Sequence, residues 1–235
     1  MSCLSAAELL NLWERAYGLS PGRRAIEIVR AGFPQYEWTD IAHWPIGFRD
    51  RQIARLRAIH FGLTVPSVTN CPGCHAAVEF SVELDHCFQL QATEFDTPLL
   101  SALPDNILGV RPLTTADVLE HLESAGREEE LVRRCLTLVD DALLPSEDLS
   151  SLAGRLESLD PEARIEFALQ CPECGREWSS LFDIVSVFWI ELNTWARRMM
   201  QEIHQLATRY GWSEEEILRI SPWRRAIYLS MTGAR

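Results

Sequence analysis

LTVPSVTNCPGCHAAVEFSVEL, residues 63–84, and IEFALQCPECGREW, residues 165–178, decide the architecture. Each holds an extended run, a Cys-Pro-x-Cys turn and a second run alternating apolar with polar residues, as in Ala77-Val78-Glu79-Phe80-Ser81-Val82. A CxxC on a tight turn aims two sulfurs at one point about 2.3 Å from a zinc ion, and two such turns complete a tetrahedron. The pairs Cys71/Cys74 and Cys171/Cys174 therefore predict one structural Zn2+ in a zinc ribbon built of two facing knuckles. The 96 residues between Cys74 and Cys171 exceed the usual ribbon spacing, which predicts an insertion between the knuckles.

Other cysteine chemistry fits these pairs less well. Cys71 to His75 matches the CxxCH of haem attachment, but the second pair lacks the histidine and no export signal precedes it. A redox CxxC needs a βαβ context, which is absent. A catalytic zinc needs an open coordination position, and four thiolates leave none. His75, His86 and Cys87 stand near enough in sequence to act as substitute ligands. Cys3 reads as a terminal thiol and Cys135 as a buried helix residue.

Outward from the cysteines the pattern is helical. Ser5 with Glu8 makes a capping box for a first helix with Leu9, Trp13 and Ala16/Tyr17 on its apolar stripe, ended by Gly18. Ser20-Pro21 opens a second helix, running to Gly32-Phe33-Pro34. A third spans Phe48 to Phe61 with Ile53, Leu56 and Ile59 inward, and Gly62 stops it. Thr114 to Asp117 reads as a helix cap, Glu128 to Leu138 as a helix, Asp140 to Asp148 as a loop, and Leu149 to Leu159 as a short helix. Phe182, Val185, Trp189, Leu192, Ala196, Met199, Ile203, Leu206 and Tyr210 alternate spacings of three and four, a heptad seam along one long helix. That helix packs on its own domain or also docks a partner chain. Gly211 ends it; Ser213/Glu216 and Ser221-Pro222 open two short helices. The expected fold is α+β and mainly helical: a helical region at 1–66, a split ribbon at 67–178 with an acidic helical insertion at about 97–160, and a long C-terminal helix within 179–235.

Composition narrows function. All 22 basic residues are arginine, which removes the P-loop lysine, the Schiff-base lysine and the kinase lysine. Residues 71–175 carry 21 acids against 6 arginines, so the net charge of −12 sits in the middle of the chain and disfavours a phosphate-backbone binder. No secretory h-region and no run near ~20 apolar residues is found, so a cytoplasmic chain without a membrane span is expected. The histidines show no catalytic pairing, and neither a nucleophile elbow nor a phosphate loop occurs, so no catalytic residue is assigned. Most of the eight tryptophans are expected in the core, although Trp and Arg also serve as interface anchors.

Two stretches add a resemblance. Residues 203–218, IHQLATRYGWSEEEIL, followed by Arg224-Arg225 and Tyr228-Leu229, resemble a segment of contractile injection systems and contractile-tailed phages. Arg111-Pro112-Leu113-Thr114-Thr115-Ala116-Asp117 resembles the R-P-x-T-x-x-D opening of the T-even phage baseplate hub assembly chaperone family, and the CPxC knuckles and a Gly47-Phe48-Arg49-Asp50 turn fit that group. The resemblance implies a non-enzymatic protein in baseplate assembly, whose partners are baseplate or hub subunits. The alternative is a zinc-ribbon nucleic-acid or transcription adaptor, which would bind DNA or RNA in a salt-dependent way.

Overall fold

A computed structural model of the chain describes residues 3–95, 107–124, 128–138, 146–231 and 233. Four helices come first: α1 (Ala6–Ala16), α2 (Pro21–Gly32), α3 (Trp38–Ala42) and α4 (Ile46–Phe61). A hairpin of β1 (Thr64–Asn70) and β2 (Ala77–Glu83) follows, then α5 (Leu84–Cys87). The described part of the insertion holds β3 (Ile107–Val110), α6 (Thr115–Ser124), α7 (Glu128–Arg134), β4 (Leu136–Leu138) and α8 (Ser146–Glu157). After a 3-10 turn at Pro161–Ala163 come the hairpin β5 (Ile165–Gln170) and β6 (Glu177–Phe182), then α9 (Ile184–Tyr210), α10 (Glu214–Arg219) and α11 (Pro222–Met231). The fold is thus mixed helix and strand, with a long C-terminal helix.

Local chemistry sets most of these boundaries. Ser5 and Glu8 exchange the two bonds of a capping box, as do Ser213 and Glu216. Asp183 accepts the N–H groups of Val185 (3.0 Å) and Ser186 (3.2 Å), starting α9, and Gly211 at φ 70° ends it in the left-handed region. At about 1.5 Å per residue α9 is ~40 Å long. Its inward stripe is Val185, Phe188, Leu192, Ala196, Met199 and Leu206, all buried.

Several expectations need correction. Phe182, read as the first seam residue, closes β6, and Phe188 takes the fully buried place beside Val185 and Leu192. The helix read from Glu128 to Leu138 stops at Arg134. Residues 136–138 pair antiparallel with β3, and the Arg111 N–H donates to the Cys135 carbonyl (2.9 Å). Cys135 is buried, but between α7 and β4 rather than in a helix. The insertion is therefore not purely helical. Gly47 to Asp50 forms the start of α4, not a turn. The α3 and α5 helices, of 5 and 4 residues, are too short to show a period. Ile59, read as inward, faces solvent at 44% exposure. Of the predicted loop, residues 140–145 lie outside the described residues, and 146–148 open α8.

One core unites the two ends of the chain. Leu12, Ile26, Ile28, Ile41, Ile53, Leu56, Ile184, Phe188 and Leu192 are buried together, with Trp13, Trp38, Trp44, Trp189 and Trp195 packed against them. The hairpin bases join this core through Val65, Val82, Phe80, Phe167 and Phe182, and Phe80 meets Phe167 at 6.1 Å between ring centres. Trp223, at 75% exposure, is a clear exception. The segment Arg111 to Asp117 makes a local clamp: Arg111 forks onto both Asp117 oxygens (2.6 and 2.7 Å), and the Thr114 hydroxyl donates to Asp117 (2.6 Å) while accepting its N–H (3.3 Å). Burial works to raise the Asp117 pKa, but Arg111 and Thr114 together hold it below its ordinary value.

Candidate metal centre

The two hairpin turns are built alike. In the first, the Cys71 N–H donates to the Ala76 carbonyl and the His75 N–H to the Cys71 carbonyl, both at 2.9 Å. In the second, Cys171 donates to Arg176 and Gly175 to Cys171, again at 2.9 Å. Pro72 and Pro172 pre-set the backbone for the turn after the first cysteine. The residue after the second cysteine sits in the left-handed region, at φ 60° for His75 and 73° for Gly175. Glycine is at ease there; histidine is strained.

The turns face each other and bring four sulfurs together. Cys71, Cys74, Cys171 and Cys174 place their Sγ atoms within 4.8 Å of one another, with Cys71–Cys174 at 3.6 Å and Cys74–Cys171 at 3.5 Å. A tetrahedron with ~2.3 Å metal–sulfur bonds has edges near ~3.8 Å, so a thiophilic ion fits with only small adjustment. The first cysteine of each pair is buried against Val78, Ala76 and Trp178, and the second is exposed. Gly73 permits the close approach of the knuckles, because a Cβ there would lie 2.9 Å from Arg176 Cδ. Backbone N–H groups of Cys74 and Gly73 outweigh burial and pull the Cys71 thiol down to about 6. The Ala76 N–H also pulls on Cys74, but the neighbouring sulfurs of Cys171 and Cys174, with burial, push it up to about 12. Four sulfurs crowded this way carry their negative charge readily only when a cation shares it.

Among the described residues, the group that can hold a metal ion comprises these four cysteines. His75 occupies the strained turn position, His86 is exposed, and Cys87 is half-buried with its thiol pushed up by burial, so the three candidate substitutes lie outside the cluster.

What holds the knuckles in place is a network of buried arginines on α4 that sequence patterning does not reveal. Arg57, 1% exposed, forks onto Glu191 of α9 (3.0 and 2.7 Å) and donates to the Gly62 and Thr64 carbonyls (2.6 and 2.8 Å), fixing the entry to β1. Arg51 pairs with Glu162 (2.7 Å), whose other oxygen accepts the Gln89 N–H. Asp160 accepts the Gly47 N–H at the start of α4 (2.7 Å), so a residue 113 positions away supplies a bond for an orphan helix donor. These contacts fix the 3-10 turn that feeds β5. Burial dominates at Asp160 and pushes its carboxyl up to about 6; it raises Asp50 as well. The only sequence signal for this network is the run of arginines at 49, 51, 55 and 57 within one helix.

Comparison with protein-family models, with curated proteins and with solved structures finds no match to this chain. Among the described residues, no helix is long and apolar enough to cross a membrane.

Proposed function

We propose that the chain is a non-enzymatic protein with a structural four-cysteine zinc centre, acting through protein–protein contacts in the assembly or structure of the baseplate of a phage-tail-like contractile injection system. The observation that carries the metal half is the closed cluster of four sulfurs at the tips of two matching hairpins. Such a shell offers a bound ion no position for substrate, so the centre ties the knuckles together instead of doing chemistry. Zinc is the ion whose preference for tetrahedral thiolate best matches this donor set.

The baseplate half rests on the resemblance of residues 203–218 and 111–117. Its physical companion is a surface furnished with exposed Trp223, Ile190, Met200 and Tyr17 around the long helix and its neighbours, apolar groups of the kind that contacts between proteins use. Co-expression of the tagged chain with sheath, tube, hub and baseplate subunits from its own operon tests the proposal. Specific co-purification with hub or baseplate subunits is expected. Recovery of none of them, or salt-dependent retention on DNA instead, would overturn it in favour of the adaptor reading.

A further inference from the structure

The four arginines of α4 are not treated alike. Arg49 pairs with Asp50, Arg51 with Glu162 and Arg57 with Glu191, each at 2.6–2.7 Å. Arg55 is half-buried and has no carboxylate within ion-pair distance among the described residues. Its Nε donates to the Leu90 carbonyl (2.5 Å) and its Nη1 to Gln52 Oε1 (2.9 Å), while Nη2 makes no hydrogen bond to a described residue. Burial, and then the charge of Arg51, lower its hold on its proton, with Glu162 acting in the opposite sense. An uncompensated guanidinium in a half-dry place is costly unless something anionic meets it.

Arg55 lines a cavity of about 520 Å3 whose walls include Phe33, Tyr36, Trp44 and Phe48. These rings form an edge-to-face series, with Phe33–Trp44 at 6.3 Å, Tyr36–Trp44 at 5.0 Å and Trp44–Phe48 at 5.1 Å between centres. Tyr36, Ile59 and Leu63, which also line it, are 39–44% exposed, so large apolar groups gather around one opening instead of scattering over the surface. Gln35 and Gln91 line it too, and side-chain amides both donate to and accept from peptide groups.

We infer that this cleft docks a segment of a partner protein that presents an aromatic or large aliphatic side chain next to a carboxylate, the apolar group entering the aromatic walls and the carboxylate meeting Arg55. The charge and the rings together select this occupant: a purely apolar segment leaves Arg55 unmatched, and a basic one is repelled. The inference rests on the protein-contact reading proposed above and assigns that reading a contact site, distinct from the cysteine centre.

The test uses the full metal-replete chain and two capped peptides, acetyl-Phe-Glu-Leu-Phe-amide and its Gln counterpart, followed by NMR of the Trp44 indole and Arg55 Nε–H signals. The Glu peptide is expected to shift both signals and to bind about tenfold more tightly than the Gln peptide, the effect of one charge-assisted hydrogen bond. Arg55→Gln should erase that preference, Arg55→Lys should keep part of it, and Trp44→Ala should weaken both peptides. No shift at millimolar peptide, equal affinity for the two peptides, or a preference that survives Arg55→Gln would each overturn the inference. Co-purification separates the two proposals. If Arg55→Gln/Trp44→Ala chains fold and still recover every partner, the cleft assignment fails while the assembly role stands.

Discussion

Removing the metal should loosen the hairpin tips while leaving the core folded. The tips have little else to hold them: the buried cluster there is Cys71, Val78 and Cys171, with Ala76 and Trp178 packed alongside. The hairpin bases are anchored separately, by Val65, Val82, Phe80, Phe167 and Phe182 in the main core and by the Arg57 and Arg51 bonds. A metal present at about a thousandfold its dissociation constant stabilises the native state by ~4 kcal/mol. For a chain of this length each kcal/mol moves Tm by about 2–4 °C, so stripping the ion should lower Tm by roughly 8–16 °C. Thermal melts of metal-replete and chelator-treated protein measure this, with elemental analysis after anaerobic purification expected to show about one zinc per chain. Hydrogen exchange should rise mainly in residues 69–78 and 169–178, and Cys174→Ser should reproduce the chelated state. Absence of metal from the purified protein, together with a Tm indifferent to chelator, would refute the structural-metal reasoning.

Three further outcomes test the frame around the centre. In Gly47→Ala the new Cβ would lie 2.0 Å from Asp160 Oδ1 and 2.7 Å from the Ala163 nitrogen. The buried carboxylate must move and its bond to the helix start is lost, so denaturant unfolding should show a loss of about 3 kcal/mol or more. The raised Asp160 pKa means the folded chain keeps a proton that the unfolded chain releases between the ordinary 3.8 and about 6. Native stability should therefore fall by about 2–3 kcal/mol as pH rises through that window and level off above it. Asp160→Asn should flatten most of this slope in pH-dependent melts, Asp50 retaining the remainder. His75→Gly should raise Tm in the metal-bound protein, because glycine relieves the left-handed strain worth ~1–2 kcal/mol, offset in part by its greater unfolded-state entropy; an unchanged or lower Tm would contradict the strain.

How far the sequence reaches depends on the kind of signal. Caps are local: Ser5/Glu8, Gly211 and Ser213/Glu216 lie within a few residues of the groups they satisfy, and those boundaries are legible, whereas the start of α9 at Asp183 is not, because the apolar Phe182 of β6 continues the helical period. The paired CPxC turns are legible for the same reason, each being closed by bonds among residues 71–76 or 171–176. Where an element depends on a distant partner, local pattern misleads. Leu136-Thr137-Leu138 reads as the end of a helix and becomes a strand because residues 107–110 offer it a ladder. The R-P-x-T-x-x-D stretch marks its own clamp, with Arg111, Thr114 and Asp117 meeting across a single turn.

By itself, then, the sequence determined which turns carry the sulfurs, where most helices begin and end, and that no lysine chemistry is open to the chain. The paired turns also predicted that four sulfurs 96 residues apart converge, as they do within 4.8 Å; only the tertiary structure decided that Arg49, Arg51 and Arg57 on α4 are buried to brace the frame, and that half-buried Arg55 lines an aromatic cleft. The physical reason is range. Backbone caps and turns are satisfied within a few residues, and matching CPxC turns announce their shared site, whereas charge pairing depends on which distant surfaces the core brings together, and no period in the sequence encodes that.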